Sequence, residues 1–175
     1  MRVIRDTTIH GCKHILPDVF YDFRGEYVET WNKSEYREVL PVGTEFVQDD
    51  FSLSERYTLR GFHGDTKTHK LIQSKIGSII VWVIDIRKDS PTYGVNESFC
   101  INEKNRQQVF VPAGCALAHL CLSAYCMFDY KQTEYYDRAF QFSYNYKSNG
   151  VDWPIADENL ILSRRDRVAP LWIKE

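Results

Sequence analysis

The chain has 175 residues, 43% hydrophobic and 26% charged, the composition of one ordinary globular domain spanning 1–175; disorder, collagen-like repeats and coiled coil are excluded. Twenty-two Lys and Arg against 24 Asp and Glu leave a net charge of −2, which argues against a nucleic-acid binder relying on counterion release. Eleven Tyr, 10 Phe and 4 Trp suit either a β-barrel core or a pocket for planar ligands.

The start, Met1-Arg-Val-Ile-Arg-Asp-Thr-Thr8, is charged and has no apolar signal-peptide core, and no run is long enough to span a bilayer. Five cysteines without a C-x-x-C pair read as reduced thiols, so the expected compartment is the cytoplasm. Helical patterning is weak, near His14–Val19 and Asn159–Asp166. Between these ends the strand signals follow one another: Glu45–Gln48, Thr58–His63, Leu71–Gln73, then Ser78–Ile86. The last is apolar on both alternating faces and should be covered on both sides. Lys88-Asp-Ser-Pro-Thr-Tyr-Gly94 is turn chemistry. Gln107–Val111 is a further strand closed by Pro112-Ala-Gly114; Ala116–Ser123 and Tyr125–Thr133 read as a hairpin. Many short strands at near-regular spacing predict an all-β sandwich or barrel, and the length fits a jelly-roll barrel with short terminal helices.

In such a barrel alternate strand residues point inward, and inward polar groups need a reason. The two-residue period puts Leu59, Gly61 and His63 on one face and Arg60 on the other, unless Gly61 breaks the strand. It also aligns Cys126, Phe128 and Tyr130, and separately Leu117, His119 and Cys121. Each of these polar residues has a bland alternative. A strand histidine among apolar neighbours is more often a satisfied core residue, and a tyrosine at a strand end is usually packing. Asp166 in Ser163-Arg-Arg-Asp166 has capping-box spacing. Arg60 and Lys70 fit solvated barrel charges. Cys115, Cys121 and Cys126 match no zinc spacing, and burial is expected for them. His63-Gly-Asp65 lacks the second histidine of an H-x-H metal site, so no metal is expected.

In order, the chain also carries Asp22-Phe-Arg-Gly25 with Glu29, Phe46-Val-Gln-Asp49, Leu59-Arg-Gly-Phe-His63 and His69-Lys-Leu71. These are followed by Ser90-Pro-Thr-Tyr-Gly94, Pro112-Ala-Gly114, Tyr130-Lys131, Val151-Asp-Trp-Pro154 and Leu162-Ser-x-x-Asp166. This series resembles the nucleotide-sugar 3,5-epimerases of the dTDP-4-dehydrorhamnose type. The resemblance implies His63 as base, Asp166 as its orienting carboxylate, Tyr130 as acid on the opposite face, and Lys70 and Arg60 near an enolate oxygen. It implies an all-β, cupin-type jelly-roll barrel, Arg24, Glu29, Gln48 and Asp50 as ligand-binding positions, a nucleotide-diphospho-sugar substrate, a homodimer and no cofactor.

Two departures stand out. The family reading R-G-x-H-Y-Q becomes Arg60-Gly-Phe-His-Gly-Asp65, and P-P-G-F-A-H becomes Pro112-Ala-Gly-Cys-Ala-Leu117. A family histidine is therefore Leu117 here, and His119, two residues on, is the substitute expected to bind substrate. With these changes the pattern resembles divergent bacterial members of the family, which implies a GDP-linked 4-keto heptose in surface-polysaccharide (capsule) synthesis, and otherwise dTDP-4-keto-6-deoxyglucose. A C3-only epimerase, a 3,4-ketoisomerase and a non-catalytic sugar-nucleotide binding module are the alternatives.

Overall fold

The computed structural model describes residues 2–174. Its strands in chain order are β1 (Val3–Asp6), β2 (Lys13–Leu16), β3 (Val19–Asp22), β4 (Gly25–Val28), β5 (Gln48–Glu55), β6 (Thr58–Gly64) and β7 (Lys70–Ile76). They continue with β8 (Ser78–Asp85), β9 (Asn96–Asn102), β10 (Gln108–Val111), β11 (Cys115–Cys121), β12 (Tyr125–Gln132), β13 (Phe142–Ser143) and β14 (Ile161–Leu162), before helix α1 (Arg164–Val168). One sheet runs β1-β2-β10-β7-β12-β5; the facing sheet runs β13-β6-β11-β8-β9 with β14 added beside β6. This is the expected jelly roll.

Hydrophobic layers lie between the sheets and on both outer faces. Ile72, Val109, Val111, Cys126 and Phe128 of the first sheet meet Ile79, Val81, Val83, Ile101 and Leu117 of the second. Each fully buried aliphatic side chain here is worth about 1.5–3 kcal/mol relative to exposure. The second sheet's outer face, with Leu59, Phe62, Ile84 and Leu120, is covered by Tyr146, Val151, Trp153 and Leu160 from the C-terminal segment. Residues Tyr36 and Val39 cover Ile15, Leu71 and Phe110 on the first sheet. Strand β8 is covered on both sides, as its doubly apolar sequence predicts.

Three local expectations are corrected. Residues His14–Val19 are not helical: Lys13–Leu16 pairs with β1 and β10, and only Ile15 of this strand is fully buried. The strand expected at Glu45–Gln48 begins at Gln48 instead, because the turn at Pro41 to Thr44 delays pairing; Val47 makes only a backbone bond to Gln132. β11 and β12 are not a hairpin. β11 pairs with β6 and β8, β12 with β5 and β7, so the short link after Cys121 carries the chain from one sheet to the other. Ser123 Oγ fixes that crossover, accepting from the Ser78 amide and donating to the Tyr125 carbonyl.

The cysteines are free thiols; Cys12, Cys115, Cys121 and Cys126 are buried, as expected of the clustered three, and Cys100 is exposed. Among the described residues no helix is long and apolar enough to cross a membrane.

Candidate active site

A cavity of about 670 Å³ opens between the sheets, lined by β5 and β12 on one wall and by β6, β11 and the β14–α1 segment on the other. The central surprise is strand β6. Arg60 and His63 both line the cavity, whereas Phe62 packs wholly in the outer core and Leu59 packs there while also reaching the cavity wall. The simple alternation, with Arg60 facing away from His63, is therefore corrected. His63 pairs with Leu117 and Arg60 with His119, so three steps on β6 span two on β11: one residue is inserted as a β-bulge. Gly61 makes the bulge possible. It has φ +125°, and a Cβ there would lie 2.5 Å from the Ala118 Cα. The Gly61–Phe62 peptide is cis.

His63 Nε2 lies 2.5 Å from Asp166 Oδ1. These residues are 103 positions apart, and the parallel pairing of β14 with β6 brings them together, Leu162 lying opposite Leu59. Ser163 then caps α1 by accepting from the Asp166 amide at 3.1 Å. The capping reading and the carboxylate reading of Asp166 thus hold at once. Asp166 is 2% exposed. Burial alone would raise its pKa, but hydrogen bonds from His63, from Ser163 and from the Gly61 amide outweigh it and hold the carboxyl below its usual range. In the neutral imidazole tautomer, an ionised Asp166 holds the one ring proton of His63 on Nε2 and leaves Nδ1 with its lone pair.

Tyr130 and Lys70 stand on the opposite wall, on paired strands β12 and β7. Cys126, Phe128 and Tyr130 share the inward face, as the period predicts, and Lys70 points inward while Leu71 packs outside. The Lys70 ammonium lies 5.3 Å from the centroid of the Tyr130 ring. Burial, with the Asp50 charge, raises the Tyr130 phenol to about 12 and keeps it protonated. Burial pulls Lys70 below the ordinary lysine value, opposed by the Asp65 and Asp50 carboxylates. Asp50 sits beside Tyr130 in register and accepts from Gln48 at 2.7 Å and Gln132 at 3.2 Å. Gln48 in turn accepts from the Tyr136 amide.

The remaining expected residues divide. His119 lines the cavity, stacked on Phe128 at 4.0 Å and 13° across the two sheets. Burial, then the charges of Arg60 and His63, push its pKa down to about 3. Arg24 and Glu29 do not line the cavity. Arg24 is ion-paired with Asp22 on the β3–β4 hairpin, and Glu29 with Arg2 at 2.7 Å. Asp65, the departure after His63, is consumed by its own loop: it accepts from the amides of Lys67 and Thr68 and from Gln141. Gly64 has no room for a side chain, since a Cβ would meet the Cys115 carbonyl and the Phe142 ring at 2.6 Å.

Sequence reading missed several polar lining residues, among them Ser54 and Arg165. Ser54 accepts from Arg60 Nε at 3.0 Å and braces it across the cavity. The alternation Ser52, Ser54 on an edge strand could have signalled it; nothing local could have signalled Arg165. Among the described residues no group of three or more His, Cys, Asp or Glu is arranged to hold a metal ion.

The geometry can be set beside known proteins. A family model for dTDP-4-dehydrorhamnose 3,5-epimerase matches residues 6–174. The chain belongs to the dTDP-4-dehydrorhamnose 3,5-epimerase family. It is an isomerase fold with an isomerase's relatives: the Salmonella typhimurium dTDP-4-dehydrorhamnose 3,5-epimerase is 34% identical over 98% of this chain and 96% of its own. A Legionella pneumophila 3,5-epimerase solved with dTDP-4-keto-L-rhamnose superposes with TM-score 0.92 at 34% identity, covering 98% of this chain and 93% of that one. A 3′-monoepimerase from Streptomyces bikiniensis, solved with dTDP-quinovose, gives TM-score 0.86 at 27% identity over 94% and 85%. Epimerases of this architecture thus include one described as acting at a single carbon.

Proposed function

We propose that this protein is a 3,5-epimerase of a nucleotide-diphospho-4-keto sugar, with dTDP-4-keto-6-deoxyglucose as its substrate and surface-polysaccharide synthesis as its setting. The observation that carries the reading is the pairing of a carboxylate-held His63 on one wall with a protonated Tyr130 on the other. A 4-keto group acidifies the hydrogens on C3 and C5, because the charge left by their removal spreads onto the ketone oxygen. His63 Nδ1 removes the proton, and Asp166 stabilises the imidazolium. Lys70 and Arg60 neutralise the enolate oxygen. Tyr130 delivers a proton to the opposite face of the same carbon, and the two-proton exchange leaves the atoms balanced with the configuration inverted.

Residues 1–175 act as one catalytic domain, and no cofactor enters the scheme. Arg24 and Glu29 serve the ligand only across a homodimer contact. The exposed aromatic side chains of the β3–β4 hairpin, Phe20, Tyr21, Phe23 and Tyr27, support such a contact. Gln48 and Asp50, bonded to each other beside Tyr130 but outside the cavity lining, are assigned to the sugar and diphosphate. The expected preference for GDP-linked heptose draws no support from the relatives described, whose substrates and bound ligands are dTDP sugars. A fixed carboxylate–imidazole pair facing a phenol favours inversion over the ketoisomerase and binding-module readings.

Deuterium uptake in D₂O, read by mass spectrometry, tests the proposal. Wild-type protein should exchange at C3 and C5 of dTDP-4-keto-6-deoxyglucose, and His63→Ala should lose about 10²–10⁴-fold in rate. Exchange at C3 alone would make it a monoepimerase. Exchange only with GDP-linked 4-keto heptose would overturn the dTDP assignment, and none with any tightly bound sugar would overturn catalysis.

A further inference from the structure

Two imidazoles line the cavity, and only one has a partner. His63 is held by Asp166, whereas His119 Nε2 is sealed from solvent and makes no hydrogen bond among the described residues. His119 is 4% exposed and stacks face to face on Phe128. Packing alone does not explain a histidine there. A phenylalanine would fill the same layer and stack equally well without burying an unpaired polar atom, which costs stability. With its pKa near 3 the ring is neutral under any working condition, so it offers one N–H donor and one lone pair but no charge. The other cavity-lining residue of β11 is Leu117, so His119 is that strand's single polar contribution.

We propose that His119 is a positioning residue whose ring nitrogen hydrogen-bonds an oxygen of the sugar in the bound nucleotide sugar, supplying the partner that the protein itself does not. The inference rests on the epimerase reading of the cavity. A half-turn about Cβ–Cγ restores the same ring plane, and so the Phe128 stack, while moving Nε2 to the place Cε1 held and presenting the other nitrogen-bearing edge to the ligand. A bond of this kind to a hydroxyl is made equally in ground and transition states, so it fixes which sugar sits in the site without accelerating proton transfer.

Two measurements test this. With ¹⁵N-histidine-labelled wild-type protein, the His119 ring resonances should shift on adding dTDP-glucose and stay in place on adding dTDP. His119→Phe, which retains the stack, should raise KM about tenfold and leave kcat within about threefold, a neutral hydrogen bond being worth roughly that factor. Unmoved resonances with bound dTDP-glucose, or an unchanged KM in a folded His119→Phe protein, would overturn the role of His119 while leaving the epimerase reading intact. Failure of wild type to bind any dTDP sugar in calorimetry would overturn both.

Discussion

The two walls of the cavity are built on different principles. Tyr130 and Lys70 reach theirs through plain strand alternation on paired strands, and their neighbours Phe128 and Ile72 follow the same rule into the core. That pairing is regular from Phe128 onward, its one register shift lying between Met127 and Phe128. The His63 wall depends on an interruption: a bulge at Gly61, a parallel strand returning from the far end of the chain, and a five-residue helix whose cap aligns Asp166. A strand period places a side chain on a face; it does not bring a carboxylate to 2.5 Å from an imidazole. The regular wall therefore holds groups tuned by burial, and the irregular wall holds a pair tuned by direct contact.

Breaking the contact should cost most. Asp166→Asn keeps the shape but no longer fixes the His63 tautomer, so turnover should fall at least about 10²-fold while thermal stability changes little; steady-state rates with a folded control would show this, and near-normal turnover would reduce Asp166 to a cap. Breaking the bulge comes next. Gly61→Ala forces a Cβ against Ala118 at a φ that disfavours side chains, with an expected loss of about 2–4 kcal/mol in urea denaturation.

A pH experiment sharpens the contrast between burial and contact. The His119 pKa is about 3 in the folded chain and ordinary, near 6.5, in the unfolded chain. Between these values the unfolded chain binds a proton that the folded one refuses. The stability present above pH 6.5 is therefore lost as pH falls toward 3, at up to about 1.4 kcal/mol per pH unit. Denaturation at pH 7 and 5 should show that acid loss in wild type and a shallower one in His119→Phe; equal slopes would place His119's proton elsewhere. The smallest effect is expected at the cap. Ser163→Ala should cost about 1 kcal/mol, with a modest loss of rate as α1 loosens under Asp166.

The fold class was legible because burial writes itself into strands: β8 could be read from its doubly apolar run and β12 from its apolar alternation. What failed was local. Residues His14–Val19 mix polar and apolar side chains in a way that fits either period, and sheet pairing with β1 and β10 decided for strand. The β11–β12 link is short enough for a hairpin, yet hydrogen bonding to four other strands sends the pair into opposite sheets.

For the site, motif order in the sequence named His63, Asp166, Tyr130 and Lys70, and the cavity gathers all four. It could not show that Arg60 shares the face of His63, because an extra residue on one strand exists only relative to its partner. Nor could it show that Asp65 is spent on its own loop, or that Ser54 and Arg165 join the lining. Composition, strand period and motif order are properties of the chain alone. Which face a bulged residue takes, and which distant carboxylate meets an imidazole, are decided only when strands pair, because both depend on register between segments that the chain does not link directly.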